Sequence, residues 1–170
     1  VGGEEIRRVA GVKFLGVWVD ERLKWEEQAR RVKRKTGQLL GVLGRARTVV
    51  EATSLQVLYN SLVLPHLQYC LMVWGDFSGN GNGSLGRSIL SNQKRLVGLM
   101  EGKTKRYHAD PLFARYGVLK VGDLYRQQLR IHAWKFWNGC LPQAQAAMLE
   151  RVSQTHDHGT RLALRGMFVS

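Results

Sequence analysis

Residues 23–46 constrain the fold more than any other segment, because apolar and basic residues are interleaved there with a helical period. The apolar or small residues are spaced mainly three and four apart, at Leu23, Ala29, Val32, Thr36, Leu39, Leu40, Leu43 and Ala46. This spacing predicts an α-helix with one buried face. Gly37, Gly41 and Gly44 each cost roughly 1 kcal/mol relative to Ala in a helix, so they indicate close packing or a hinge.

A run of basic residues falls mainly between these apolar positions. Its members are Arg30, Arg31, Lys33, Arg34, Lys35, Arg45 and Arg47. The whole chain has a net charge of +13 and 44% hydrophobic residues, which indicates a folded basic domain and argues against a disordered basic tail. Such a patch attracts polyanions and predicts nucleic-acid binding that weakens with salt. A solvated helix face and an anionic membrane surface are the alternatives.

The predicted fold class is mainly α, with a short N-terminal β-hairpin followed by a bundle of five or six helices. β-Branched and aromatic residues, punctuated by Gly11 and Gly16, fill residues 6–19 and predict the strand pair. Helical spacing dominates the chain from residue 23 onward. A glycine-rich stretch over residues 75–84 is the one expected flexible linker.

The second predicted helix is apolar nearly all round, so we expect it to be the central one. Thr53 or Ser54 is expected to cap it, and Pro65 to kink it, because proline lacks an amide hydrogen and clashes with the preceding turn. Its expected apolar positions are Leu55, Leu58, Leu62, Leu67, Leu71 and Trp74.

Further helices are predicted from apolar stripes and end signals. One covers residues 85–100, ends at Gly102 and projects Lys94 and Arg95, which are further candidates for nucleic-acid binding. The others are a short helix with Asp110 as N-cap, Pro111 at its first position and Gly117 at its end, a longer helix capped by Asp123 and stopped by Asn138 and Gly139, and a last helix over residues 142–152.

No group of residues in the sequence predicts an active site. Acidic neighbours such as Glu26 and Glu27 lie outside apolar strands, so we interpret them as charges that favour a helix start. His156 and His158 lie in a polar tail, which we interpret as exposed. We therefore expect no catalytic residue, no metal site and no cofactor in this chain.

The tryptophans and cysteines favour structural roles. Trp18 and Trp25 are candidates for stacking on bases, although core packing is the more ordinary role of tryptophan in a helical protein. Cys70 and Cys140 lie inside apolar segments, which indicates reduced core thiols and an intracellular protein. No uninterrupted apolar run of about 18 residues occurs, so no membrane span or membrane partner is expected.

Several strings of the sequence occur in an order typical of a known family. They are VKFLGVWVD (12–20), LKWEEQARRVKRK (23–35), LYNSLVLPHLQYCLMVWGD (58–76), NQKRLVGLM (92–100), DPLFARYGVLKVGDLYRQQ (110–128), WKFWNGCLP (134–142) and THDHGTR (155–161). Together they resemble the region that follows the catalytic palm in reverse transcriptases of jockey-like non-LTR retrotransposons (LINEs). The resemblance covers nearly the whole chain, and its most specific part is LYNSLVLPHLQY.

The resemblance implies a division of the chain and a set of binding residues. It implies the end of the palm over residues 1–20, thumb helices over 21–76, a glycine-rich linker over 77–84, connector helices over 85–152 and a C-terminal tail over 153–170. The primer grip would consist of Phe14, Leu15, Gly16 and Val17. Arg30, Arg31, Lys33, Arg34 and Lys35 would lie nearest the phosphates of an RNA/DNA hybrid or duplex.

Catalysis is not expected from this chain by itself. The family's paired catalytic aspartates, which hold Mg²⁺, lie upstream of the hairpin, and nothing here corresponds to them. Because the sequence opens at Val1 without an initiator Met, we expect an upstream palm and fingers to be its polypeptide partners. A nuclear location is expected from the resemblance. The alternatives are a stand-alone or host-adopted nucleic-acid-binding protein and a scaffold whose basic face binds an acidic protein.

Overall fold

The computed structural model describes residues 8–75, 83–103 and 107–146. These residues form an antiparallel hairpin, β1 (Gly11–Phe14) and β2 (Val17–Asp20), followed by helices. The helices are α1 (Glu26–Ala46), α2 (Ala52–Leu58), a π-helical segment (Tyr59–Val63), α3 (Leu64–Gln68), α4 (Leu71–Trp74), α5 (Gly83–Met100), α6 (Asp110–Arg115), α7 (Val121–Trp137) and α8 (Gln143–Ala146). The predicted fold class is confirmed.

The chain forms two compact units, Val1–Gln128 and Leu129–Ser170. The hydrophobic core lies in the first unit, where α1 packs against α5 and against the segments that follow α2. Its largest fully buried apolar side chains are Trp74, Tyr59, Leu43, Leu67, Leu71, Ile89 and Leu96. The predicted stripe of α1 from Ala29 onward and that of α5 therefore face the core, whereas Leu23, predicted in the same stripe, precedes α1 and is exposed.

The hairpin closes through a two-residue turn, Leu15 and Gly16. Their φ angles are +44° and +85°, so both central residues of the turn are left-handed, as a type I′ turn requires. Gly16 adopts this conformation without a steric cost, whereas Leu15 does not. The cross-strand pairs are Gly11 with Asp20, Val12 with Val19, Lys13 with Trp18 and Phe14 with Val17.

The second predicted helix is divided into several segments, and its apolar residues are not all buried. The buried residues recur mostly every four positions, at Leu55, Tyr59, Val63, Leu67, Leu71 and Trp74. In a regular α-helix with 3.6 residues per turn, a stripe of this period drifts by about 40° at each repeat. The π-helical segment turns more widely, since the Leu64 amide donates to the Tyr59 carbonyl five residues earlier, and it reduces this drift. Leu62, predicted as a core position, is exposed instead.

The ends of these segments also differ from the prediction. α2 begins at Ala52 with Glu51 at the N-cap position, so neither Thr53 nor Ser54 caps it. Pro65 lies in the first turn of α3, directly after the π-helical segment, and the helix continues past it to Gln68. The helical path is interrupted instead at Cys70, which lies between α3 and α4 and has a φ of +49°.

Three further boundaries correct the prediction. α5 begins at Gly83, so Gly83 and Ser84 belong to this helix and not to the linker, while residues 77–82 lie outside the described part. α6 includes Asp110, whose carboxylate lies 3.0 Å from Lys120 Nζ and makes no capping hydrogen bond. Asp123 lies inside the first turn of α7 and pairs with Arg126 at 2.6 Å.

The described part of the second unit comprises the end of α7 and α8. As predicted, α7 stops at Trp137, before Asn138 and Gly139, and Gly139 has φ +67°. The predicted helix over residues 142–152 is described only as Gln143–Ala146. Its remaining residues and the predicted tail over 153–170, with His156 and His158, lie outside the described residues.

Both cysteines are free, but their placement differs from the prediction of core thiols. Cys70 is half-buried, and Cys140 is exposed just after α7. Cys70 packs at the edge of the core, whereas Cys140 follows a helix end whose tryptophans, Trp134 and Trp137, are themselves more than half exposed.

The glycines of α1 do not break the helix, which runs without interruption through all three. A Cβ atom at Gly37 would make an ordinary 3.7 Å contact with Asn92 Nδ2, and one at Gly44 would meet no atom within 4 Å. Packing therefore requires glycine at neither position. Gly98 in α5 differs, because a Cβ atom there would overlap the ring and hydroxyl of Tyr107.

We expect Gly98→Ala and Gly44→Ala to change stability in opposite directions. Gly98→Ala displaces Tyr107, whose hydroxyl donates to the Lys94 carbonyl at 2.9 Å, and should lower the free energy of unfolding by about 1–3 kcal/mol. Gly44→Ala restricts the backbone of the unfolded chain and should raise the free energy of unfolding by up to about 1 kcal/mol. Urea unfolding of both variants measures the difference, and equal stability of Gly98→Ala and the unaltered chain would contradict the Tyr107 contact.

Candidate nucleic-acid interface

The carboxylate of Asp20 fixes the path from the hairpin into α1. Oδ1 accepts hydrogen bonds from the amides of Arg22 (3.1 Å) and Lys24 (3.0 Å), and Oδ2 accepts one from the amide of Trp25 (2.8 Å). The Lys24 amide contributes most, and together these bonds hold the pKa of Asp20 below its usual value. α1 consequently starts at Glu26, one tight loop after β2.

Two side chains of α1 hold the hairpin against the helix. Buried Gln28 accepts the Trp18 amide hydrogen through Oε1 at 3.1 Å. The Arg31 guanidinium lies over the Trp18 ring, 4.3 Å from its centroid, in a cation–π contact. The hairpin and the first turns of α1 therefore form one surface.

Two of the predicted phosphate-binding residues are paired with acids of the first helical turn. Arg30 lies 2.9 Å from Glu27 and 3.7 Å from Glu26. Arg31 Nε lies 2.9 Å from Glu27 Oε1, although this buried nitrogen makes no hydrogen bond of acceptable angle. All four side chains lie on the helix surface, so the arginines are partly neutralised there without being turned into the core.

The other cations of the run are exposed and point in three directions. Lys33, Arg34, Lys35 and Arg45 form no ion pair with another described residue. At 100° per residue, Arg34 and Arg45 fall within about 20° of each other on the side opposite the buried stripe. Lys35 lies on the flank that faces the hairpin. Lys33 lies on the flank towards α5, where its carbonyl accepts a hydrogen bond from Asn92.

The remaining predicted basic residues lie elsewhere. Arg47 is half-buried just after the end of α1. Lys94 is half-buried and Arg95 is exposed on α5. The structure thus distributes the predicted set over two helices, with Arg34 and Arg45 on the outward side of α1.

The four residues predicted as a primer grip do not share one environment. Phe14 and Leu15 are 63% and 75% exposed at the hairpin tip, whereas Val17 is buried. The Tyr69 hydroxyl donates to the Leu15 carbonyl, and a Cβ atom at Gly16 would lie 3.4 Å from the Tyr69 ring. An aromatic residue after α3 therefore supports an exposed apolar tip, and the sequence offered no signal for this contact.

A cleft of about 230 Å³ lies between the hairpin, α1 and the end of α3. It is lined by Lys13, Gly16, Trp18, Gln28, Arg31, Val32, Lys35, His66 and Tyr69. Lys13, His66 and Tyr69 are not among the binding residues predicted from the sequence. The pairing of the two strands could have indicated Lys13. Its cross-strand partner is Trp18, and paired residues lie on the same face of a hairpin. Burial, assisted by the charge of Lys35, lowers the pKa of His66.

The tryptophans proposed for base stacking have other contacts. One face of the Trp18 ring is occupied by Arg31, and Trp25 packs against the core at the start of α1. Within the described residues, no group of three or more His, Cys, Asp or Glu side chains is arranged to hold a metal ion. Within the same ranges, no helix is both long enough and apolar enough to cross a membrane.

Comparison of the chain with protein-family models, with curated proteins and with solved structures found no match.

We expect Asp20→Asn to destabilise the protein at neutral pH but not in strong acid. Because the folded-state pKa of Asp20 lies below its usual 3.8, its contribution to stability is present above that pH and is lost as the pH falls through the lowered value. Urea unfolding at neutral and acidic pH measures the gap between the variant and the unaltered chain. Glu21→Gln, which removes a neighbouring charge without a backbone hydrogen bond, is the control. A gap that persists unchanged in acid would contradict the role given to the Asp20 carboxylate.

Proposed function

We propose that this chain is the thumb and connector region of a retrotransposon RNA-directed DNA polymerase. In this proposal the chain clamps a template-primer duplex by contacting the sugar-phosphate backbone of that duplex. The observation that carries the proposal is the outward side of α1, where Arg34 and Arg45 are exposed without an acidic partner among the described residues. Eleven residues of helix separate them by about 16 Å. That distance spans roughly five phosphates of one strand at 3.4 Å per step.

The chemistry of this surface suits the sugar-phosphate backbone better than base edges. Arginine and lysine side chains on an exposed helix neutralise phosphates and position a duplex without reading its sequence. A polymerase must accept any template, and an RNA/DNA hybrid is recognised mostly by its shape and backbone. Sequence-tolerant, salt-sensitive binding is therefore the expected behaviour.

The hairpin tip supports the same proposal. Leu15 has a left-handed backbone conformation and is 75% exposed, and Phe14 beside it is 63% exposed. A strained, exposed apolar turn that is fixed by a hydrogen bond from Tyr69 is costly as an ordinary solvent-facing turn. Contact with the end of a primer, as in a primer grip, gives these apolar side chains a partner.

Catalysis in this proposal belongs to the palm of the parent polymerase, where paired aspartates hold Mg²⁺. The chain contributes affinity and orientation, which keep the primer terminus in reach of that site. Action on chromosomal DNA, and with it a nuclear location, forms part of the proposal.

The proposal predicts that Arg34→Gln/Arg45→Gln weakens binding to an RNA/DNA hybrid and flattens its salt dependence. Loss of two phosphate contacts should reduce the slope of log Kobs against log[salt] by about 2. Arg87→Gln/Lys103→Gln removes the same charge from exposed positions outside α1 and should leave the slope nearly unchanged. Fluorescence anisotropy with hybrids of several sequences measures both. The proposal fails if the chain does not bind at low salt or if the two double variants behave alike.

Single substitutions should separate the paired arginine from the unpaired one. Arg30 already faces Glu26 and Glu27, so we expect Arg30→Gln to weaken hybrid binding less than Arg34→Gln does. The same anisotropy titration compares the two Kd values. A larger loss for Arg30→Gln would mean that its ion pairs open on binding and that Arg34 is not the main contact on this side of α1.

A further inference from the structure

The cleft between the hairpin, α1 and α3 concentrates positive charge without an acid in its wall. Lys13 comes from β1, Arg31 and Lys35 come from α1, and His66 comes from α3. Lys13 and Lys35 form no ion pair with any other described residue. Like charges gathered in a concave wall repel one another and attract an anion.

Arg31 is held in place before any ligand arrives. Its guanidinium carbon lies 4.3 Å from the centroid of the Trp18 ring, and its Nε lies 2.9 Å from Glu27. Arg31 is ion-paired with Glu27 through Nε, whereas its terminal N–H groups donate no hydrogen bond among the described residues. A fixed planar donor of this kind suits a phosphate oxygen.

The size of the cleft selects a small group. A volume of about 230 Å³ lies below the roughly 300–1,000 Å³ of pockets that enclose a drug-sized ligand. A space of this size is compatible with one phosphate group and part of a sugar.

We propose that this cleft binds a single phosphodiester group of the nucleic-acid backbone, with Lys13, Lys35 and Arg31 as its charge partners. His66 is the fourth partner, and its protonation is coupled to binding. This inference rests on the proposed function, because it identifies where one strand of the clamped duplex is anchored. It adds the hairpin lysine and the α3 histidine, which lie outside the basic run of α1.

His66 makes the site sensitive to pH. The cations that face it across the cleft are Lys35 and Arg31 on α1 and Lys13 on β1, with the Tyr69 hydroxyl nearby, and no acidic group lines the wall. Burial and the charge of Lys35 disfavour the imidazolium form of His66 and so lower its pKa. A bound phosphodiester favours it, so binding takes up a proton, and affinity rises as the pH falls, by up to about tenfold per pH unit.

The test uses the full chain and a dinucleotide that has one phosphodiester and no terminal phosphate, since that probe keeps a single charge between about pH 5.5 and pH 7.5. NMR titration at low salt should shift the His66 and Trp18 signals and leave those of His132 on α7 unmoved. The matched probe with a neutral methylphosphonate linkage should bind at least about fivefold more weakly. Equal binding of the two probes would overturn the phosphate assignment.

Four variants locate the site. Lys13→Gln and Lys35→Gln should each weaken dinucleotide binding about fivefold, and Lys24→Gln, which is exposed but outside the cleft, should not. His66→Gln should retain binding near pH 7.5 and lose its increase at lower pH. Equal effects of Lys24→Gln and Lys13→Gln, or an unchanged pH dependence in His66→Gln, would contradict the inference.

Hybrid titrations on the same samples separate this inference from the proposed function. If the dinucleotide leaves the cleft signals unmoved while Arg34→Gln/Arg45→Gln still loses hybrid affinity, the cleft assignment is overturned and the clamp stands. If the cleft binds the dinucleotide but Arg34→Gln/Arg45→Gln does not affect hybrid binding, the anion site is supported and the clamp is overturned.

Discussion

The buried amide of Gln93 is the interaction on which the rest of the first unit depends. Its Nε2 donates to the Tyr59 hydroxyl at 2.9 Å and to the Leu119 carbonyl at 2.8 Å, and its Oε1 accepts from the Val121 amide at 2.9 Å. Gln93 and Tyr59 are both fully buried, and this burial raises the pKa of Tyr59 to about 12. One side chain thus joins α5 to the π-helical segment and to the start of α7. Because every polar atom of a fully buried group needs a partner, the three elements are held in one arrangement.

Neutral amides carry similar links elsewhere in the same unit. Gln56 donates to the Tyr116 carbonyl at 2.8 Å, and Asn92 donates to Thr36 at 3.1 Å. A chain with 26 basic and 13 acidic residues cannot pair most of its cations, and buried unpaired charge is expensive. Side-chain amides join the helices by hydrogen bonds that need no carboxylate, and this chain has few carboxylates. The lysines and arginines are then free to remain at the surface, where the proposed function needs them.

The sequence predicts the parts of this fold that follow a regular period. The stripe of α1 from Val32 to Leu43 is visible because a straight helix repeats every 3.6 residues. Tyr59 was missed because its buried stripe repeats every four residues, which requires a π-helical turn that no local pattern announces. Lys13 and His66 were missed for another reason. They come from a strand and a helix that only tertiary packing brings beside Lys35.

The charges of α1 divide the helix into a start whose charges are paired and a continuation whose charges are unpaired, to which the proposed function assigns binding. Glu26 and Glu27 favour the helix start through its dipole and hold Arg30 and Arg31, so the first two turns are nearly neutral. Unpaired charge begins beyond them. Arg34 on the outward side and Lys35 on the cleft side are about 100° apart, which on a helix 10–12 Å wide separates them by about 8 Å. Because so short a distance covers only a few phosphates of one strand, a single strand can contact the outward side of α1 and enter the cleft.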